Sequence, residues 1–252
     1  MAEVAVAIHF EDVPERSTGL FGAFWYLYLR DRYPVVADQP IAPSQLDGFD
    51  GDDGFGPESA PGIVFSPASP GSRMWFLTQD QTIIVQLQRD RIVLNWRKLS
   101  DDVYPEFPKL RGELDRILEL LEAYGSEFQL WPLRARQTEV TYINQVERDA
   151  LPKGGLLGSA PMNWPEWLGT PESLQLQQTF TSTAADGSPS RLYITIAPAG
   201  RFHIQLNLTC KSRPNSGELA QALRMIDSSH DRVVHAFRAA IAPELRKKWG
   251  GS

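Results

Sequence analysis

The chain has 252 residues, enough to bury a sizeable core as one domain or as two intimate halves. Its 42% hydrophobic, 10% aromatic and 22% charged composition excludes a wholly disordered chain, and its longest apolar run, Leu20 to Leu29, is about half the length a bilayer requires. The formal net charge of -6 is unevenly placed: residues 1–60 hold 11 acidic and 3 basic side chains, the remainder 20 and 22, so the near-neutral majority gives no global support to phosphate-driven nucleic-acid binding.

No basic region followed by an apolar stretch opens the chain, and Cys210, its single cysteine, allows no intrachain disulfide. Both suit a cytoplasmic setting. The first strand is expected over Glu3 to Phe10, where Val4, Val6, Ile8 and Phe10 alternate with Ala5, Ala7 and His9. Ser17 or Thr18 can cap a helix through Leu20, Phe21, Phe24, Leu27 and Tyr28, ending near Tyr33-Pro34. That helix is apolar almost all round, which predicts deep burial or docking on a partner. From 40 to 70 the chain is rich in Pro, Gly, Ser and Asp and reads as a long mobile acidic loop.

Strands resume at Met74 to Leu77, and Thr82 to Gln88 with Arg91 to Arg97 form a hairpin. A two-residue turn at Arg89-Asp90 makes facing positions sum to 179, so that Leu87 opposes Ile92, Val85 opposes Leu94 and Ile83 opposes Trp96. The reverse face then carries Gln88 opposite Arg91, Gln86 opposite Val93 and Ile84 opposite Asn95. A helix follows through Leu110, Leu114, Ile117, Leu121 and Tyr124, with Gly125 as its stop.

The second part, 131–252, repeats this order. A strand over Glu139 to Val146 leads into an irregular stretch containing Gly154-Gly155 and Pro165. Strands are then expected at Leu174 to Thr183, Arg191 to Ala197 and Phe202 to Thr209, with turns at Asp186-Gly187 and Ala199-Gly200. Phe202, Ile204, Leu206 and Leu208 share one face, His203, Gln205 and Asn207 the other. A helix capped by Asn215 or Ser216 runs through Leu219, Leu223, Ile226, Val233, Phe237 and Ile241, and Pro243 suits the start of a short last helix. The expected fold is α+β: two pseudo-repeated halves, 1–130 and 131–252, each with a strand, a variable segment, three antiparallel strands and a helix. The helices pack on one sheet face, and the halves form separate units or one compact domain.

Catalytic patterns are sparse. No Gly-x-Ser-x-Gly elbow occurs, Cys210 at a strand end reads as a buried structural thiol, and Gly154 to Ser159 lacks the lysine of a phosphate loop. The four histidines lie on separate elements, and the run Asp47, Asp50, Asp52, Asp53 misses the calcium-loop spacing, so neither a metal nor a cofactor is expected. That run reads as a solvated acidic loop, and His230, on an apolar helical stripe, as a packing histidine. The informative set is Gln86, Gln88, Arg91, Asn95 and Arg97 on one strand face, with His203, Gln205 and Asn207 on its counterpart. A solvated face gives the same alternation, but amides with guanidinium groups also suit hydrogen-bonded recognition of backbone or flat polar ligands, or a buried polar network between layers.

Gln86-Leu87-Gln88-Arg89-Asp90-Arg91 with Asn95-Trp96-Arg97-Lys98, then Tyr104-Pro105, Val140-Thr141-Tyr142-Ile143-Asn144, and a late helix with Phe237 ahead of Trp249-Gly250, resemble a sporadically distributed family of uncharacterised bacterial proteins of about this length. The resemblance implies no activity or cofactor. Its scattered distribution implies accessory genes of the toxin-antitoxin or phage-defence kind. The reading that follows is a non-enzymatic binding or regulatory protein whose partner is another protein, with no membrane. Two alternatives stand beside it: an enzyme with a site between the halves built from Arg97, Glu139, Tyr142 and His203, and a nucleic-acid binder using Arg89, Arg91, Arg97 and Lys98.

Overall fold

The protein is seen in a computed structural model that describes residues 1–11, 18–43, 46–49, 72–100, 103–128, 132–147, 175–184, 186–241 and 245. Among these residues it is a mixed α+β fold with one large antiparallel sheet and three α-helices. The strands are β1 (Glu3–Phe10), β2 (Val35–Pro40), β3 (Ser72–Leu77), β4 (Ile83–Gln88), β5 (Arg91–Arg97), β6 (Ala135–Glu147), β7 (Leu176–Thr183), β8 (Pro189–Ala199) and β9 (His203–Ser212). They lie side by side in the order β2-β3-β4-β5-β1-β6-β9-β8-β7. The helices are α1 (Thr18–Phe24), α2 (Phe107–Glu127) and α3 (Leu219–Ala240).

The pleat sends alternate side chains to opposite faces and so sorts the sheet into an apolar and a polar side. Val4, Val6 and Ile8 of β1 line up with Trp96, Leu94 and Ile92 of β5 and with Tyr142, Val140 and Thr138 of β6. The apolar row continues through Leu208 and Cys210 of β9 to Ile194 and Leu192 of β8. The β4–β5 register matches the facing sum of 179 at every pair. Cys210 is buried there beside Ser190.

Against this apolar side α3 lies over β6 and β9, where Ser229 Oγ meets Ser212 Oγ at 3.0 Å. α2 buries Leu110, Leu114, Ile117, Leu118, Leu121 and Tyr124, and Tyr124 packs on Phe24 of α1. Its one buried acid, Glu113, accepts the Tyr33 hydroxyl at 2.6 Å and pairs with Arg116 at 2.7 Å and Arg32 at 3.1 Å. Burial and that bond to Glu113 push the Tyr33 phenol far above its ordinary range. His230 of α3 stacks on Phe107 with centroids 3.7 Å apart and shares a hydrogen bond of 2.9 Å with Tyr142, as a packing histidine would.

Several expectations need correction. The first helix holds α geometry only to Phe24 and continues as a π-helical turn over Trp25–Leu29, leaving Tyr26 and Leu27 more than half exposed. Gly125 does not stop α2, because it is buried and helical and the helix runs two residues further. Neither Asn215 nor Ser216 caps α3: Glu218 holds the cap position, while Gln221 reaches back to accept from the Ser216 N–H and hydroxyl. Phe202 is 66% exposed, since the turn around Gly200, at φ 77°, delays β9 until His203. The alternation in β1 does not leave its polar side open, since Ala7 and His9 are buried there. β2 falls where no strand was expected. Pro243 and the 154–159 segment lie outside the described residues.

Candidate binding face

All eight polar residues expected to matter lie on the polar face, but in two environments. Gln86 Nε2 donates to Asn95 Oδ1 at 2.7 Å, Asn95 Nδ2 donates to Glu3, and Gln86 Oε1 accepts from Arg73 and Trp75, each at 3.1 Å. Asn95 and Gln88 are only 5% and 4% exposed, so this half of the face is a closed network and not a solvated one. His203, Gln205 and Asn207 are half-buried, and Asn207 Oδ1 is buried without a hydrogen-bond partner among the described residues. Arg97 stands at the strand end, donating from Nε to the Gln81 carbonyl at 3.1 Å.

What closes the face is the chain segment that follows β2. Gln88 takes both polar groups of one residue: its Oε1 accepts the Ala42 N–H at 3.2 Å and its Nε2 donates to the Ala42 carbonyl at 3.0 Å. Arg91 donates to the same carbonyl at 2.9 Å, and burial lowers the Arg91 pKa from its ordinary value. Further along, the Asp47 N–H donates to Gln137 Oε1 of β6 at 2.8 Å. Side-chain groups of the face thus hold the backbone of Ala42 and Asp47, and we call the segment carrying them, described at 41–43 and 46–49, the strap. Of the loop expected over 40–70, the described part from Ile41 to Phe49 meets the face at these points. Residues 50–71 lie outside the described residues.

The strap also supplies charge. Arg191 of β8 and Lys211 of β9 are direct cross-strand neighbours, an arrangement that repels unless a counter-ion sits between them. Asp47 is that ion: its carboxylate meets Lys211 Nζ at 3.0 Å and Arg191 at 3.8 Å and accepts the Tyr193 hydroxyl. Its side chain is 4% exposed, so Asp47 is no part of a solvated acidic loop. Burial first, and then the bond to Asp47, push the Tyr193 phenol well above its ordinary range. Two residues on, the Phe49 ring lies 5.1 Å from the Arg191 guanidinium and 5.6 Å from that of Arg213.

Between these anchors sit His9 and Glu139, 4.0 Å apart, with His9 Nδ1 buried and without a partner among the described residues. Burial lowers the His9 pKa, Glu139 opposes that shift and Arg91 adds to it. His9, Gln137, Tyr193 and Lys211 were not anticipated. Their signal was present in the strand alternation, but choosing among polar residues required knowing which strands are neighbours.

The residues considered for an enzyme site are dispersed over the sheet. Tyr142 projects from the apolar side, where its hydroxyl bonds His230 and Tyr104. Glu139 and His203 share the polar face, but their β6–β9 partners, Lys211 and His203 itself, are eight residues apart on β9, about 26 Å at the rise of a strand. Of the four basic residues considered for nucleic acid, Arg91 donates to the Ala42 carbonyl and Arg97 to the Gln81 carbonyl. Among the described residues no group of three or more His, Cys, Asp or Glu could hold a metal ion, and no helix is long and apolar enough to cross a membrane.

No family model matches the chain, and neither a curated protein nor a solved structure is similar to it.

Proposed function

We propose that the chain is a non-enzymatic binding protein whose polar sheet face recognises an extended peptide segment of a protein partner, and that the strap occupies this face in the absence of the partner. The observation that carries the reading is the pairing of one side-chain amide, Gln88, with both the N–H and the C=O of Ala42, seconded by Arg91 on the same carbonyl. Such contacts ignore the identity of the residue they hold, so another extended segment satisfies them equally well. The cationic pair Arg191 and Lys211 supplies a place for a carboxylate. A regulatory role follows: the partner binds as the strap leaves, and apparent affinity is set by the fraction of molecules with the strap released. An accessory or defence setting for such a switch is part of the same proposal, supported by the sequence resemblance to a scattered bacterial family.

Two features of architecture belong to the same proposal. The halves are internal repeats meeting at the β1–β6 seam, a reading supported by the order β3-β4-β5-β1 on one side and β7-β8-β9-β6 on the other, each followed in the chain by a long helix. The helices cover the apolar side alone, supported by Trp25 stacking on Phe76, His230 meeting Tyr142 and Ser229 meeting Ser212. The polar side is then left for the strap or its replacement.

Display of random peptides on the full chain, with residues 41–49 replaced by Gly/Ser, tests the reading. Enrichment of peptides carrying an acidic residue is expected, and it disappears when Gln88→Ala and Lys211→Ala are added. Equal recovery by the folded Gln88→Ala, Lys211→Ala variant overturns the reading.

A further inference from the structure

The two ends of the sheet are guarded differently. β2 is six residues long, carries Asp38 and ends at Pro40, features that discourage pairing with another strand. β7 is eight residues long, reads Leu-Gln-Gln-Thr-Phe-Thr-Ser-Thr, and has no charge, no proline and no bulge. It is exposed over most of its length, and Phe180 is 45% exposed.

Which backbone groups β7 offers follows from its neighbours. The Ala184 N–H donates to the Ser188 carbonyl, so the even-numbered residues of β7 exchange hydrogen bonds with β8. The Arg213 N–H donating to the Pro189 carbonyl says the same from the other side: odd-numbered residues of β8 bond β9, leaving its even ones for β7. The N–H and C=O groups of Gln177, Thr179, Thr181 and Thr183 therefore point away from the sheet, and among the described residues nothing meets them.

These four residues are centred on Phe180. We propose that the chain self-associates through β7, two copies pairing antiparallel about a two-fold axis at Phe180. In that register Thr179 opposes Thr181 of the second copy, Gln177 opposes Thr183, and all the outward groups are satisfied at once. On the other face Phe180 meets its own copy and Gln178 opposes Ser182. No charged side chains are brought together within the new ladder. Arg232, which already donates to the Phe180 carbonyl at 3.2 Å, stands at this edge where the Gln178 amide oxygen of the second copy can accept from it. A shifted register leaves outward groups unpaired, and a one-residue shift also mismatches the two faces.

Sedimentation of the full chain over about a hundredfold range of concentration reads the equilibrium. A concentration-dependent dimer is expected. Thr181→Pro removes an outward N–H that no bond among the described residues uses, so it should leave a monomer with unchanged circular dichroism. Phe180→Cys gives an independent readout, because facing residues of a non-hydrogen-bonded pair lie about 4.5 Å apart at Cα, within disulfide reach, and native Cys210 is buried. Mild oxidation should link its copies. A native chain that stays monomeric, a dimer that survives Thr181→Pro, or a Phe180→Cys chain that dimerises without cross-linking overturns the proposal.

Discussion

Gln88 and Gln205 are the same side chain on the same polar face, yet only Gln88 is closed in, holding both polar groups of Ala42. Removing the Gln88 amide strands the Ala42 N–H and loosens the Arg91 contact, so Gln88→Ala should cost about 1–3 kcal/mol. Gln205→Ala should stay within about 0.5 kcal/mol. Denaturant midpoints of the two variants check this difference. The imidazoles give a second test at this scale. Burial holds the pKa values of His9 and His230 below their ordinary value of about 6.5, against the opposing carboxylates of Glu139 and Asp90 for His9 and of Asp231 and Asp227 for His230. The unfolded chain therefore takes up these protons first as pH falls. The stability they contribute is present above about pH 6.5 and is lost on acidification towards the folded pKa values, at up to about 1.4 kcal/mol per pH unit for each histidine. Unfolding midpoints between pH 5 and 8 should fall with acid, and His9→Gln should flatten that slope.

The strap shows what a local pattern can and cannot reveal about an element. The β4–β5 hairpin was legible because a two-residue turn and an alternating pattern together leave one register, and the pairs Leu87–Ile92 and Gln88–Arg91 followed from it. Nothing local distinguishes Asp47 from Asp50, Asp52 or Asp53. Its burial is dictated by Arg191 and Lys211, more than 140 residues away in sequence and opposed only once β8 and β9 are paired. β2 escaped notice for a similar reason, since Val35 to Pro40 contains Asp38 and Pro40 and becomes a strand through its partner β3. Asp47→Asn removes the charge that separates the two cations and should cost about 1–3 kcal/mol, less than a fully buried pair because the strap can lift away. Limited proteolysis should then cut near residues 41–49 faster than in the native chain. Unchanged cleavage would mean that the backbone contacts alone hold the strap.

At the scale of the whole molecule, β1 is the hinge of the account. It pairs with β5 on one side and with β6 on the other, and Ile8 is fully buried between Ile92 and Thr138. With its sheet continuous across that seam, the chain should unfold as a unit. Ile8→Ala should cost about 2–5 kcal/mol and lower hydrogen-exchange protection in β4 and β8 together. Loss confined to one side would mean that the halves are independent. The alternation of apolar and polar residues made the antiparallel sheet legible in advance, and the two long helices followed from their stripes. The order in which strands from the two halves join was not, because it rests on long-range pairing that no window of sequence contains.

The central claim is that the polar face recognises peptide backbone and that the strap competes for it. The direct measurement is fluorescence anisotropy of a labelled peptide spanning Gln39 to Phe49, titrated with the native chain and with a chain whose residues 41–49 are Gly/Ser. The account predicts saturable binding to the replaced chain, weaker binding to the native chain by the factor with which the strap holds its own site, and loss of binding with Gln88→Ala. No binding to a replaced chain that still unfolds cooperatively, or equal affinity for both chains, would contradict it.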